Sequence, residues 1–149
     1  MTRILLTGMS GAGKSTLLDG LARRGRSVLD TDHDGWVRED GLWDGERMAL
    51  QLDRETDIVI AGTVENQGAF YPRFDHVVLL SAPLEVLLAR VAARATNPYG
   101  RTTEDRAEIA HYVDTVEPLL RRSCSLELDG RAHPDALVDA VEALFPVRD

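Results

Sequence analysis

Cysteine is nearly missing from this chain: the one thiol, Cys124, permits no internal disulfide, and its surroundings read as a buried strand, so a core position is expected. Lysine is as scarce. Lys14 stands alone, and every other basic side chain among the 17 Lys and Arg is arginine. No apolar run approaches the roughly 20 residues of a membrane span, which excludes a transmembrane helix. Positive charge is in deficit as well. A net charge of −8 argues against a nucleic-acid partner, because phosphate-backbone binding runs on clustered Lys and Arg. Repeats and low-complexity tracts are absent. What remains is 149 residues with an ordinary 44% of hydrophobic side chains, which predicts one domain, 1–149, around a single sizeable core.

Against that plain background one stretch stands out. Gly8-Met9-Ser10-Gly11-Ala12-Gly13-Lys14-Ser15 fits G-x-x-x-x-G-K-[ST] at every fixed position. Ile4-Leu5-Leu6 before it suits a buried strand, and Ser15 to Arg24 after it has helical spacing, with Leu17, Leu18 and Leu21 on one face. Strand, glycine-rich turn and helix aim successive backbone N–H groups at one point, where the helix N-terminus adds partial positive charge. The loop therefore predicts binding of a nucleoside triphosphate, ATP with Mg²⁺. Gly8, Ser10, Gly11, Ala12, Gly13, Lys14, Ser15 and Thr16 are its candidate residues. Lys14 is expected to reach the β- and γ-phosphates and the Ser15 hydroxyl to ligate the metal. A nucleotide loop starting at residue 8 leaves no room for a signal peptide, so a cytoplasmic protein is expected.

Further apolar runs read as strands at Val28-Leu29, Ile58 to Ala61, Val77 to Leu80 and Cys124 to Leu128. Helical patterns fall at 83–95, 103–122 and 134–144, with one short stretch at Glu46–Leu52. Alternation of strand and helix predicts an α/β fold of three layers, a five-stranded parallel sheet covered on both faces. Asn97-Pro98-Tyr99-Gly100 stops a helix, and Thr102 with Glu104 and Asp105 starts the next. Pro118 is expected to kink or break that helix near its end.

"SVLDTD", residues 27–32, puts two carboxylates two positions apart at the end of the second strand, a spacing that points both the same way on a pleated strand. Strand ends beside the phosphate loop form the ligand crevice of open α/β sheets. One carboxylate there can hold Mg²⁺ through water and the next can take a hydrogen bond or proton from an acceptor hydroxyl; a solvated acidic turn is the alternative. The third strand, ending Ile60-Ala61-Gly62, has no carboxylate after it, so the metal falls to Asp30. Neither an Asn-Lys-x-Asp guanine motif nor a Leu-Ser-Gly-Gly transporter signature is present.

With these residues in view the chain resembles the P-loop small-molecule kinases of the shikimate and gluconate kinase group, over nearly its whole length. "GMSGAGKST" looks like their phosphate loop and "DTD" like their D-x-D. "LLARVAAR", residues 87–94, looks like their arginine-bearing helix before a lid, and "LELDGRAHPDALVDAV", residues 126–141, like their last strand, adenine loop and final helix. The resemblance implies adenylate-kinase topology with strand order 2-3-1-4-5, a short lid at about 95–103, and transfer of the γ-phosphoryl group to a hydroxyl of a small metabolite. Carried over position by position, Asp30 is the carboxylate that holds Mg²⁺ through water, and Asp32 binds the acceptor hydroxyl and helps take its proton. Arg90 lies against the adenine or phosphates. Arg94 or Arg101 is the lid arginine, and Arg131 and Pro134 line the adenine. On residues alone, Arg90 and Arg94 are also what an ordinary amphipathic surface helix carries.

Two departures point to an acceptor other than theirs. Val116 stands where they carry a substrate-binding arginine two residues before a proline, and Gly62-Thr63-Val64 replaces their three glycines. The acceptor site is expected between 33–56 and 62–74. These stretches hold Trp36, Trp43, Phe70, Tyr71 and Phe74, with Arg38, Arg47, Arg54 and Arg73 available for an acidic group and Glu65, Asn66 and Gln67 for polar contacts. The aromatic residues favour a partly apolar acceptor or a stacked sugar, or else they staple loops to the core. A nucleoside monophosphate kinase and a nucleotide-binding regulatory module with weak ATPase activity are the rival readings. The chain is expected to be a monomer or homodimer.

Overall fold

A computed structural model of the chain describes residues 2–94, 99 and 101–146. Strand β1 (Thr2–Thr7) lies at the centre of the sheet, followed by helix α1 (Lys14–Arg23) and the short β2 (Val28–Asp30). Next come α2 (Gly45–Arg54), β3 (Asp57–Ala61), a 3-10 turn (Gln67–Arg73), β4 (His76–Ser81) and α3 (Leu84–Ala93). The chain ends with α4 (Thr103–Thr115), α5 (Glu117–Ser123), β5 (Leu126–Asp129) and α6 (Pro134–Glu142). All strand pairings are parallel and the order is β2-β3-β1-β4-β5, as the resemblance implies.

The period of two along each strand divides the core. Ile4, Leu6, Val59 and Ala61 face one way and pack with Leu17, Leu21, Val91 and Val138 of α1, α3 and α6. Leu5, Ile58 and Ile60 face the other and pack with Trp43, Met48, Leu52 and Phe74. Both faces are covered, which is why these strands read as unbroken apolar runs. Among the described residues no helix is long and apolar enough to cross a membrane.

The break expected near Pro118 is present: residues 103–122 form two helices that part at Val116. Pro118 occupies the first turn of α5, where a missing N–H costs nothing. Two local expectations are corrected. Cys124 is the half-buried C-cap of α5, outside β5, which begins at Leu126. The second correction, at β2, concerns the site. The expected lid at 95–103 lies partly outside the described residues, since 95–98 and 100 are not among them.

Candidate active site

The chain passes from β1 into a tight loop that ends on the first turn of α1. Gly11 has φ +88°, and a Cβ there would lie 2.8 Å from the Leu87 carbonyl oxygen, so only glycine lets the loop close against α3. The Lys14 ammonium is folded back on the loop, donating to the Gly8 carbonyl and, at 3.2 Å, to that of Met9. Desolvation pulls its pKa below the ordinary lysine value; the Asp32 and Asp30 carboxylates raise it again, and Arg94 lowers it. Two acids of one turn and a second cation from the end of α3 thus act on Lys14.

The Ser15 hydroxyl donates to Asp30 Oδ2 at 3.0 Å, and Asp30 Oδ1 accepts the Asp32 backbone N–H at 3.0 Å. Strand β2 ends at Asp30, so the pleat does not place Asp32. A turn closed by the Asp30 side chain does, and it still brings both carboxylates to bear on Lys14. The missing carboxylate after β3 also has a physical cause. A Cβ on Gly62 would lie 2.3 Å from the Thr31 hydroxyl and 3.0 Å from the Trp43 ring. Thr31 donates to the Ala61 carbonyl at 2.8 Å and accepts from the Trp43 indole at 3.0 Å, which fills the space an acid would need.

Arg90, on α3, reaches across the loop. It donates to the Gly11 and Ala12 carbonyls at 3.3 and 3.1 Å and to that of Gly130 at 2.7 Å, tying the phosphate loop to the turn after β5. Beside it opens a pocket of about 470 Å³ lined by Ala12, Gly13, Thr16, Arg131, His133 and Pro134 among others. Arg131 lines it while engaged with Asp129, at 2.8 Å; this partner holds the Asp129 carboxyl down to about 2. Arg94 is the first residue past α3, and its Nη2 donates to the Ser10 hydroxyl at 3.2 Å. Its Nε is buried without a hydrogen-bond partner among the described residues. Arg101 is exposed and donates to the Arg94 backbone carbonyl. Of the two lid candidates, Arg94 is the one that touches the loop.

A cleft of about 680 Å³ opens on the other side of the loop. Met9, Thr63, Val64, Glu65, Gln67 and Tyr71 form one wall, and Tyr112, Val116, Leu119, Leu120 and Ser123 of α4 and α5 form the other, with Asp40 and Gly41 at the edge. Thr63 fastens the cleft to the loop, its hydroxyl donating to the Gly8 carbonyl at 2.8 Å. The aromatic residues are mostly staples, not a stacking platform. Trp36, Trp43 and Phe74 are buried, and Phe70 packs edge-on against Trp43 at 5.8 Å. Only Tyr71 of the five lines the cleft. Three of the four arginines proposed for an acidic acceptor are engaged elsewhere: Arg38 with Asp40, Arg47 with the Asp34 carbonyl and the Trp36 ring, Arg73 with Asp53. Asn66 clasps the Trp43 backbone from both its amide and carbonyl ends. The far wall was not singled out from sequence, although Tyr112 and Leu119, 41% and 56% exposed, break the polar pattern of a helix surface.

No protein-family profile matches the chain. Shikimate kinase of Bordetella pertussis is 30% identical, the match covering 96% of this chain and 76% of that protein. Shikimate kinase of Bordetella avium is 29% identical, over 96% and 77%. Among solved structures, shikimate kinase from Acinetobacter baumannii in complex with shikimate superposes with a TM-score of 0.69 at 22% identity, covering 97% of this chain and 90% of that one. The Aquifex aeolicus enzyme gives 0.67 at 18%, over 96% and 95%. The two structures share the fold, and the sequence relatives carry the kinship. This chain belongs to the shikimate kinase family: it is a kinase, catalysing ATP-dependent phosphoryl transfer to a hydroxyl of a small metabolite.

Proposed function

We propose that the donor is ATP held as its Mg²⁺ complex, with the adenine in the pocket beside Arg90, Arg131 and Pro134 and the acceptor in the cleft beside Thr63. The buried, unpartnered Nε of Arg94 carries this reading. A guanidinium N–H left without an acceptor is costly, and a phosphate oxygen is the acceptor that suits it. The loop Gly8–Thr16 supports the same fit through its curl and the helix N-terminus behind it. Ser15 and Asp30 are the donors for Mg²⁺, which supplies charge neutralisation at the phosphates when bound.

In the transfer, Asp32 accepts the proton of the acceptor hydroxyl as its oxygen attacks the γ-phosphorus. The bond from that phosphorus to the β–γ bridging oxygen breaks, and ADP leaves. Charge spreads over the γ-phosphoryl oxygens, where Lys14, the loop amides and Arg94 meet it. Arg101 acts on the same group by holding the Arg94 backbone. The segment 94–103 is the lid of a single domain, and residues 40–41 are the part of 33–56 that borders the acceptor. A cytoplasmic location, as monomer or homodimer and without a nucleic-acid partner, completes the reading; the net charge of −8 supports the last point.

The test is Lys14→Ala. Transfer is expected to fall about 10²- to 10³-fold, the range for removing one preorganised donor, with the fold retained. Normal turnover in the folded variant rejects the assignment. Hydrogen exchange across 94–103 is expected to slow when a non-hydrolysable ATP analogue binds.

A further inference from the structure

Cations crowd the phosphate end of the crevice and are missing from the acceptor end. Lys14, Arg90 and Arg94 all touch the loop. Among the described residues lining the cleft, the charged ones are Asp40 and Glu65, both acids. Asp40 is spent on Arg38, whose guanidinium grips it at 2.5 Å and draws its carboxyl below the usual range. That pair is neutral as a whole and leaves Glu65 as the cleft's free charge; Arg38 itself is not among the residues that line the cleft. Across from Glu65 the wall is apolar, built from Tyr112, Val116, Leu119 and Leu120.

We propose that the acceptor is an alcohol with an apolar flank and no carboxylate or phosphate, uncharged or bearing an amine. An anion entering this cleft exchanges water for Glu65, aliphatic side chains and the polar groups of Thr63, Gln67, Tyr71, Tyr112 and Ser123, and finds no cation among the described lining residues to replace its hydration. An amine meets Glu65, and a neutral ring meets the apolar wall. Shikimate, for which the relatives are named, is a carboxylic acid, so this cleft is built against the group that such an acid presents. The inference rests on the kinase reading above and narrows it.

The experiment uses the full chain with Mg²⁺ and ATP. Three probes share one ring: shikimate, its methyl ester, and the analogue in which an aminomethyl group replaces the carboxylate. A wider panel of hydroxylated metabolites sorted by charge runs alongside, with phosphorylated product read by mass spectrometry. Uncharged and amine-bearing compounds are expected to exceed the acids in kcat/KM on the order of tenfold or more. Leu119→Arg, at an exposed position, is expected to raise use of the acids several-fold, and Glu65→Gln to lower kcat/KM for amines more than for esters. Transfer preferring acids in the parent protein overturns the acceptor class and leaves the kinase standing. Calorimetric binding of an ATP analogue with transfer to no compound at all overturns the kinase reading and the acceptor class with it.

Discussion

The two halves of the crevice are made of different material. The half proposed for the nucleotide is backbone: loop amides, the Gly8 and Met9 carbonyls that hold Lys14, and the three carbonyls that Arg90 joins. The half proposed for the acceptor is side chains, drawn from the segment after β3 and from two helices that meet at Val116. Backbone geometry follows from local spacing and tolerates few changes. A side-chain wall depends on tertiary placement and changes with single substitutions, which lets one half of the crevice keep its chemistry while the other changes what it accepts.

Asp32→Asn gives the largest effect expected and tests whether the halves are separable. The amide keeps the shape of the turn but loses charge and basicity. Transfer is expected to drop about 10²- to 10⁴-fold, the usual value of general-base help. ATP affinity, set by the loop, is expected to change little. Equal losses in ATP affinity and turnover show instead that the two halves are one unit.

Trp43→Ala comes next and tests the scaffold that the halves share. The ring is 1% exposed, its indole N–H reaches Thr31, and its edge blocks any side chain at position 62. Truncation is expected to cost about 3–5 kcal/mol in denaturant unfolding. A loss under about 1 kcal/mol, the scale of surface changes, contradicts its role as a staple.

Asp30→Asn lies on the nucleotide side and is smaller. Its Oδ2 accepts from Ser15 and its Oδ1 from the Asp32 N–H, so the amide disturbs the hydrogen-bonded pair proposed for Mg²⁺ without removing it. The Mg²⁺ concentration for half-maximal activity is expected to rise about 10- to 100-fold. A profile matching that of Asp32→Asn erases the division of labour between the two acids.

The same contrast explains how much was legible in advance. The phosphate loop, α1 and the parallel sheet each follow from periodicities within a short window, and all are present. The strand order came from the family resemblance. The D-x-D spacing predicts a pleated strand that aims both acids, but β2 stops at Asp30 and a side-chain turn takes over. Trp43 was ambiguous because its partners, Thr31 and Asn66, lie 12 and 23 residues away. Arg94 and Arg101 are indistinguishable in sequence because the end of α3 at Ala93 is not legible there; past that end Arg94 donates to Ser10. The α4–α5 wall left a faint signal, two large apolar residues on a polar helical surface.

The smallest effect compares a helix cap from each side of the cleft. Thr102 opens α4, its hydroxyl accepting the Asp105 N–H at 3.0 Å, and α4 carries Tyr112. Asp44 opens α2, accepting the Arg47 N–H at 3.1 Å, and α2 carries Met48 and Leu52 into the second core cluster. Each cap satisfies one N–H that the first turn leaves without a partner, so Thr102→Ala and Asp44→Ala are each expected to lower stability by about 1 kcal/mol. Their functional consequences are expected to differ. Fraying at α2 disturbs a helix packed on the sheet, and its effect stays in the unfolding midpoint. Loosening the start of α4 reaches a cleft wall with exposed side chains and little packing to hold it, so KM for the acceptor is expected to rise with Thr102→Ala while kcat and ATP affinity hold. Equal acceptor KM in both variants means that the α4 wall is as firmly seated as the core, and the contrast between a fixed nucleotide half and an adjustable acceptor half then fails at its weakest point.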